Sequence, residues 1–458
     1  MLNAASVRTP AQAKKIVEER KLTHVKVGII DIDGVLRSKY MAKAKFISAL
    51  EKGFGFCDVV FGWDSNDQLY ENVNTTFTGW HTAFPDATAY IVPETCRDIP
   101  FEDNMLFFLA EFHGRAEPVC PRSTLKRVVA RAKKMGFSVE AAFEYEFFMF
   151  DETPESVREK GFRNLQNMTP GFYGYSGIRN SVWSELYHEI LNSFEAMRIP
   201  IEGLHTETGP GVLEAAIVHD EVVESADRAA LFKTFMKVLA QRRGLMATFM
   251  AKWSNDWPGQ SGHLHMSMTD KAGKAVFHDA KDKHGMSKTM RHFLAGQQAL
   301  MPELLVMTAS TVNSFSRMVP GFWAPTHATW GVENRTCALR VIGGSPYAQR
   351  VEYRIAAADA NPYLAAAAAL GSGLIGIEQK MEPSDPIVGN SYAMKHPAKY
   401  SLPSTLMEAA DRLRKSKVAR DLFGDVFVDH FASSREWEER EFRKHVTDWE
   451  MARYFEII

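Results

Sequence analysis

Three short stretches of the chain decide the fold prediction, and all three alternate in the same way. They read Glu144-Tyr145-Glu146, His263-Leu264-His265 (continuing to Ser267) and Arg350-Val351-Glu352-Tyr353-Arg354. Charged or metal-ligating side chains stand at every second position, with apolar side chains between them. Because alternate side chains of a β-strand point to the same face, each stretch predicts a strand with an apolar back and a polar front. Three such strands predict a sheet whose concave face holds metal ions and anions.

The chain before these strands is predicted to be rich in β-structure. Residues 10–20 have the pattern of a short helix. Strands are predicted from His24 to Ile32 and from Leu36 to Met41, with a turn at Asp33-Gly34 between them. Short apolar runs of the same kind continue to about residue 113.

A boundary follows, because the stretch 114–123 carries two prolines in a polar context. We predict a strand-rich N-terminal domain over residues 1–113 and a larger α+β catalytic domain over residues 114–458. In the larger part, helices and strands alternate. The predicted elements are a helix capped by Ser123 and closed by Gly136, a strand from Ser138 to Phe150, a helix from about Asp220 to Arg243, a buried helix from Leu364 to Ile377 and a late helix after Pro403-Ser404.

Composition is typical of a soluble globular protein, with 45% apolar and 24% charged residues among 458. A net charge of −2 gives no support for a nucleic-acid or membrane-surface partner. The four cysteines lack CxxC spacing and are expected to be reduced thiols of a cytoplasmic protein. The first residues lack the apolar core of a signal peptide, and the longest apolar run is too short to span a bilayer.

The glutamates are the first candidates for chemistry. Glu144 and Glu146 share one strand face and are flanked by apolar runs, so the strand is predicted to be buried; an exposed strand edge is the alternative for an isolated pair. Buried carboxylates need a metal ion or a basic partner. Between Glu207 and Glu214, glycine and proline predict a tight turn that brings the two carboxylates together, although surface glutamates near turns are common.

The histidines and arginines complete the polar face. His263 and His265 follow a glycine-bearing loop and are predicted to be ligands or phosphate contacts; with four glutamates beside them, oxygen-rich Mg²⁺ or Mn²⁺ sites are favoured over zinc. Five arginines in an otherwise apolar segment indicate an anionic substrate. No P-loop motif occurs. The residues thus predict a divalent-metal enzyme that handles phosphoanions on a curved sheet.

These residues resemble the glutamine synthetase family and its gamma-glutamyl ligase relatives over nearly the whole chain. The matching stretches are Glu144 to Phe147, Glu207 to Glu214, His263 to Ser267, Asn313 to Pro325, Glu333 to Thr336 and Arg350 to Leu364, in the same order and spacing. The resemblance implies an N-terminal β-grasp domain and a catalytic domain with a curved antiparallel sheet, a partial barrel, with helices. It also implies a homo-oligomer of stacked hexameric rings with active sites between subunits.

The resemblance implies a reaction as well. ATP phosphorylates the γ-carboxylate of L-glutamate with the help of two or three Mg²⁺ or Mn²⁺ ions, and an amine then displaces the phosphate to give a γ-glutamyl amide. By position, one metal would be held by Glu146, Glu207 and Glu214 and the second by Glu144, His263 and Glu352. Arg335 would stabilise the phosphoryl group in transit. The remaining implied roles are ATP contacts for His265, Ser267, Arg340, Arg350 and Glu202, and glutamate binding for Gly259, Arg317 and Arg354.

One departure from the family pattern concerns the nucleophile. Members that use ammonia read Val-Pro-Gly-aromatic-Glu-Ala-Pro, whereas this chain has Trp323 in place of that glutamate. An indole has no acid–base function but favours an amine with an organic substituent. Phe322 and Trp63 could add to an apolar wall. Asp64 is the nearest counterpart of the family's ammonium-binding aspartate.

Three hypotheses follow. The first is an ATP-dependent ligase that joins glutamate to a primary amine, either an aromatic or alkyl amine such as aniline or a polyamine such as putrescine. The second is a glutamine synthetase that uses ammonia, which Trp323 disfavours. The third is a non-catalytic structural or regulatory member, which the complete metal and arginine sets disfavour.

Overall fold

A computed structural model of the chain describes residues 2–71, 76–321 and 323–458. Its strands, in chain order, are β1 (His24–Ile30), β2 (Leu36–Ala42), β3 (Phe54–Cys57), β4 (Asp86–Ile91), β5 (Arg97–Ile99), β6 (Met105–Phe112), β7 (Phe137–Phe150), β8 (Ile201–Thr206), β9 (Val212–Ile217), β10 (Asp220–Glu221), β11 (Met246–Thr248), β12 (Gly262–Asp270), β13 (Trp330–Val332), β14 (Leu339–Ile342) and β15 (Arg350–Tyr353).

The α-helices are α1 (Pro10–Glu19), α2 (Lys43–Lys52), α3 (Pro121–Lys134), α4 (Pro154–Glu159), α5 (Gly177–Val182), α6 (Ser184–Ala196), α7 (Val222–Arg242), α8 (Lys288–Leu304), α9 (Val312–Arg317), α10 (Pro362–Glu378), α11 (Leu406–Lys415), α12 (Lys417–Phe423), α13 (Asp425–Phe442) and α14 (Asp448–Tyr454). Among the described residues, no helix combines the length and apolarity needed to cross a bilayer.

The first sheet has the strand order β2-β1-β6-β4-β3, with β5 also paired to β6. β1 and β6 run parallel at its centre, and the other pairs are antiparallel. Every residue of β6 is buried, because the strand is paired on both sides and α2 packs over it, with Phe46 against Phe108. This mixed sheet with a helix on one face is the expected β-grasp arrangement.

The second sheet follows the order β13-β14-β15-β12-β7-β9-β8, with β10 and β11 also paired to β7. Its pairs are antiparallel, as expected, except at one edge, where β13 and β14 run parallel. Along β7 the apolar side chains of Phe143, Tyr145 and Phe147 are buried. Tyr145 stacks on Phe232 and Phe147 stacks on Phe249 behind the sheet, and Phe143 stacks on Tyr145. The opposite face is left to the carboxylates.

The helices of the second part cover the apolar back of the sheet. α10 is buried along nearly its whole length, as its composition predicts, and it packs closely on α8. Gly296 and Gly376 permit this approach, because a Cβ on Gly376 would lie 2.1 Å from the carbonyl oxygen of His292. α7 begins at Val222, with the side chain of Glu221 accepting hydrogen bonds from the first-turn amides.

One local prediction is wrong. A 3₁₀ helix spans Gly114–Val119 and α3 begins at Pro121, so Ser123 does not cap α3. Ser123 is therefore a buried first-turn residue and Cys120 takes the N-cap position, because proline favours the first helical position. The late helix is capped by Thr405, one residue after Ser404. The division into domains at residues 113 and 114 stays a prediction, and one hydrophobic cluster runs through both parts.

Candidate active site

The strand register brings the predicted polar face together. β7, β12 and β15 are neighbours, so that Glu144 lies opposite His263 and His265 lies opposite Glu352. One strand further out on each side, Glu146 lies opposite Glu214 of β9 and Arg340 of β14 lies opposite Glu352. The three alternating stretches of the sequence therefore form one continuous surface across the sheet.

The first cluster on this surface joins Glu144, His263 and Glu352, whose ligand atoms all lie within 4.8 Å of one another. Nδ1 of His263 is 3.5 Å from Oε2 of Glu144 and 3.6 Å from Oε1 of Glu352. Glu352 is 1% exposed, and Arg340 and Arg354 both donate hydrogen bonds to its carboxylate. The cluster thus has fixed positions and a suitable donor set for a hard divalent cation.

Electrostatics keeps these carboxylates ionised. Burial by itself would raise the pKa of Glu144, but its contacts with His263 and His265 outweigh burial and lower that pKa below its ordinary value. Burial opposes ionisation of Glu352 in the same way, yet His263 and Arg354 hold its pKa at about 2. For His263, burial is the largest influence and lowers the pKa, which favours the neutral imidazole that binds metals.

The second cluster lies at the hairpin between β8 and β9. Glu207 and Glu214 come together there as the turn predicted, and the third member is His205, which the sequence analysis did not assign; their ligand atoms lie within 4.8 Å of one another. Nε2 of His205 is 3.3 Å from Oε1 of Glu214. His205 stands two residues before Glu207, so the alternation that marked the other strands was present here too.

Glu146 faces the same hairpin but has a further contact. Its Oε2 accepts a hydrogen bond of 2.6 Å from the backbone N–H of Ser261. Burial raises the pKa of Glu146, and the charge of Glu207 adds to that effect. Burial likewise raises the pKa of Glu214. Carboxylates that raise one another's pKa in this way are those that a bound cation would stabilise.

Both clusters open into one cavity of about 530 Å³. Its wall includes all of the residues predicted for metal, glutamate and phosphoryl binding, together with Arg340, Trp323 and the unassigned Tyr175. These residues are Glu144, Glu146, Glu207, Glu214, His263, Glu352, Gly259, Arg317, Arg335, Arg340, Arg354, Trp323 and Tyr175. The ring of Tyr175 stacks on His205 at 4.4 Å between centroids. No periodic pattern marks Tyr175 in the sequence, because it lies in the loop before α5.

Gly259 and Arg317 fit together at one side of this cavity. A Cβ on Gly259 would lie 2.6 Å from both the carbonyl oxygen of Ala251 and Cγ of Arg317, so a larger residue would displace the arginine. The Arg317 guanidinium donates hydrogen bonds to the carbonyl oxygens of Ile355 (2.9 Å) and Arg354 (3.2 Å). Gly259, Arg317 and Arg354 therefore lie together at this side of the cavity, and their shared role in glutamate binding stays a prediction.

A smaller cavity of about 260 Å³ lies next to the first and shares Glu144 with it. Four of the five residues predicted to contact ATP line this cavity, namely Glu202, His265, Ser267 and Arg350. Nε of Arg350 lies 3.2 Å from Nδ1 of His265. Arg340, the fifth, lies on the larger cavity, where it pairs with Glu333 and Glu352.

Of the residues predicted to contact the nucleophile, Trp323 lines the large cavity, whereas Asp64 and Trp63 do not. Trp323 is 53% exposed and has a positive φ of 60°. Phe322 lies outside the described residues. Asp64 does not line the cavity of its own chain. Its carboxylate accepts hydrogen bonds from the backbone N–H groups of Asn66 and Gln68 and from Nε1 of Trp437. Trp63 packs against Arg37 and is also absent from the cavity wall.

Comparison with known proteins agrees with this geometry. The family described as "Glutamine synthetase, catalytic domain" matches residues 118–454. "Type-1 glutamine synthetase 2" of Dictyostelium discoideum is 46% identical over 444 residues, which cover 96% of this chain and 84% of that protein. "Glutamate--isopropylamine ligase" of a Pseudomonas species is 35% identical over 451 residues and 98% of each chain.

Among solved structures, one titled "GmaS/ADP complex-Conformation 1" superposes with a TM-score of 0.84 at 27% identity, covering 97% of this chain and 99% of that one. The similarity extends over both sheets, and the expected curved sheet and helices are confirmed. On the family match and these relatives together, the chain belongs to the glutamine synthetase family of ATP-dependent ligases.

Proposed function

We propose that the protein condenses L-glutamate with a primary amine other than ammonia, using ATP and releasing ADP and phosphate. The observation that carries the proposal is the composition of the large cavity. Its wall combines two carboxylate clusters with four arginines, and at position 323 it has an exposed indole and no carboxylate. The relative named as an isopropylamine ligase, which matches 98% of this chain, supports the same conclusion.

Divalent cations fit both carboxylate clusters. The set of Glu144, His263 and Glu352 supplies two oxygens and one neutral imidazole nitrogen from three adjacent strands. The other set supplies Glu207 and Glu214, with His205 within reach and Glu146 on the adjoining strand. Such donors suit Mg²⁺ or Mn²⁺. Cations bound at these two sets would neutralise the charge of the transferring phosphoryl group.

Nucleotide binding is proposed for the smaller cavity. His265, Ser267 and Arg350 lie on its wall with Glu202, and Glu144 connects it to the first carboxylate cluster. A nucleotide held there would have its phosphate end next to that cluster. The similarity to a structure titled as an ADP complex supports this assignment.

Glutamate binding and activation are proposed for the arginines of the large cavity. Arg354 and Arg317 with Gly259 would hold the amino acid, because their buried cations attract its carboxylates. Arg335 is exposed to the cavity, and none of the described carboxylates pairs with it. Its guanidinium is therefore available to stabilise charge on the phosphoryl group as the γ-carboxylate attacks.

The amine would then attack the γ-glutamyl phosphate beside Trp323. The indole cannot accept a proton from an ammonium ion, so it gives no help to the deprotonation of ammonia, whereas its ring can contact an organic substituent. Asp64 and Trp63 would reach an active site only in a neighbouring subunit of a ring-shaped oligomer. That assembly, as a hexamer or dodecamer, is part of the proposal, as is a cytoplasmic location.

A glutamine synthetase is the second candidate, and a specific observation favours it. The relative with 46% identity is named as one. We expect the two candidates to be separated by phosphate release with L-glutamate, ATP and Mg²⁺ across ammonium, methylamine, isopropylamine, ethanolamine, putrescine and aniline. The proposal predicts a higher kcat/KM for at least one organic amine than for ammonium. Ammonium as the best nucleophile would reject it, and no turnover with any nucleophile would favour a non-catalytic member.

A further inference from the structure

An apolar groove opens beside Trp323, and its lining includes none of the residues of the two carboxylate clusters. It encloses about 770 Å³ and shares two residues, Trp323 and Arg335, with the large cavity. One wall comes from the turn between β13 and β14, and the other comes from residues 386–390. The groove therefore begins where the proposed phosphoryl contact and the proposed amine contact meet.

The two walls are held to each other by hydrogen bonds. Nδ2 of Asn334 donates to the carbonyl oxygens of Ile387 (3.1 Å) and Gly389 (2.9 Å). The backbone N–H of Ile387 donates to the carbonyl oxygen of Trp330 at 2.8 Å. Because these bonds fix the backbone of residues 386–390 against the sheet, the groove is present before a ligand arrives, and little ordering cost opposes binding.

The chemistry of the lining is that of an apolar pocket with a cationic rim. Val332, Pro386, Ile387 and Val388 face the groove together with the Trp323 ring. Val388 is 83% exposed, so its side chain is free to contact a ligand.

The charged groups of the lining exclude one class of amine. Lys283 and Arg335 are its cations, and Glu333 is the carboxylate among the described lining residues. Oε2 of Glu333 already accepts two hydrogen bonds from the guanidinium of Arg340. A second ammonium group would thus meet two cations and a carboxylate that is already paired.

We propose that this groove binds the organic substituent of the amine substrate, and that the substrate class is monoamines with a small branched or aromatic apolar substituent. This inference rests on the proposed function, since it assumes an organic amine as nucleophile. It adds residues 386–388 and Val332 as determinants of amine specificity, and it excludes diamines as the preferred class.

The first test is a homologous series on the wild-type enzyme. We expect kcat/KM to rise about three- to fivefold for each carbon added from methylamine to ethylamine to isopropylamine. The reason is that burial of one more methylene group favours binding by about that factor. Putrescine should be poorer than isopropylamine. A flat series with organic amines still preferred to ammonium would overturn the groove assignment and leave the proposed function standing. Preference for ammonium would overturn both.

The second test uses Val388, whose exposed side chain can be replaced without opening the core. Val388→Asn is expected to lower kcat/KM for isopropylamine about three- to fivefold, with less than a twofold change for ammonium, which is too small to reach the groove. Val388→Asp is expected to raise the ratio of kcat/KM for putrescine to that for isopropylamine about tenfold, because it provides a free carboxylate for the second ammonium.

Val426→Asp is the matched control, because Val426 is 49% exposed in the first turn of α13, where an acidic residue is tolerated. This variant should leave the ratios of kcat/KM among putrescine, isopropylamine and ammonium unchanged. An equal loss of kcat/KM with isopropylamine and with ammonium in the Val388 variants would indicate a structural effect and overturn the proposal. Unchanged ratios of kcat/KM among the amines in these variants would also overturn it. Wild-type preference for putrescine would assign the site to diamines instead.

Discussion

The polar face of the second sheet and the loop that carries Trp323 border the same cavity, but they are built differently. On the sheet, strand register fixes each group, and Glu352 is 1% exposed between two arginines. On the loop, Trp323 is 53% exposed and has a left-handed backbone conformation. A change on the sheet therefore disturbs several charged partners, whereas a change at Trp323 alters one cavity wall. The difference suggests that glutamate activation and amine choice can vary independently.

The largest expected effect is on the sheet. Glu352→Gln should lower kcat at least about a thousandfold with every nucleophile, because a proposed cation loses an oxygen ligand and Arg340 and Arg354 lose their common partner. Phosphate release with saturating ATP, Mg²⁺ and amine measures this. Glu333→Gln is the matched control, since Glu333 also pairs with Arg340 but is not in the carboxylate cluster. This variant should lower kcat by less than about tenfold. Equal losses in both would mean that the cluster has no special role.

The same residue predicts a pH dependence of stability. The pKa of Glu352 is held at about 2 in the folded protein, below the ordinary value of about 4.3. Its contribution to the free energy of unfolding, roughly 3 kcal/mol, is therefore present above the ordinary pKa and is lost as pH falls toward the folded one. Without added metal, the stability gap between wild type and Glu352→Gln should narrow as the pH falls from about 5 toward about 2. A constant gap in urea unfolding would contradict the electrostatic account.

Arg335 lines the large cavity together with the polar face of the sheet and Trp323, and its replacement should have an intermediate effect on kcat. Arg335→Lys keeps the charge but loses the planar set of donors, so kcat should fall about a hundredfold with little change in KM for glutamate. Steady-state kinetics with glutamate varied gives both constants. A rise in KM with kcat unchanged would assign Arg335 to substrate binding and not to phosphoryl transfer.

The smallest activity change, and the most selective one, is expected on the loop. Trp323→Glu should raise kcat/KM for ammonium relative to isopropylamine about tenfold, because it adds a proton acceptor and removes an apolar wall. Trp323→Phe keeps an aromatic wall and should leave that ratio within about twofold. Both variants should unfold within about 0.5 kcal/mol of wild type, since the side chain is exposed. An unchanged ratio in Trp323→Glu would mean that nucleophile choice lies elsewhere.

The sequence predicted the sheet surface well for a physical reason. Alternation along a strand is a local signal, and each of the stretches around Glu144, His263 and Glu352 carries it without reference to the others. The same alternation relates His205 to Glu207, and both belong to the second cluster. The start of α3 was misplaced because Pro121 and Ser123 are both good helix-start residues, and only the backbone shows that Cys120 takes the cap position.

The parts that could not be predicted depend on contacts between distant segments. Tyr175 reaches the site by stacking on His205, and no periodicity in its own loop indicates this. The groove beside Trp323 exists because Asn334 binds the backbone of residues 387 and 389, more than fifty residues later in the chain. The surroundings of Asp64 likewise depend on a distant segment, since its carboxylate accepts hydrogen bonds from the backbone N–H of Gln68 and from Nε1 of Trp437.

The most direct test of the central claim is a competition between nucleophiles. The wild-type protein is incubated with L-glutamate, ATP and Mg²⁺ in the presence of equal concentrations of ammonium and isopropylamine, and the products are quantified by mass spectrometry. Because the ratio of products equals the ratio of kcat/KM values, a single mixture decides the preference. We predict γ-glutamylisopropylamide in excess over glutamine. Glutamine as the dominant product would contradict the account and identify the protein as a glutamine synthetase.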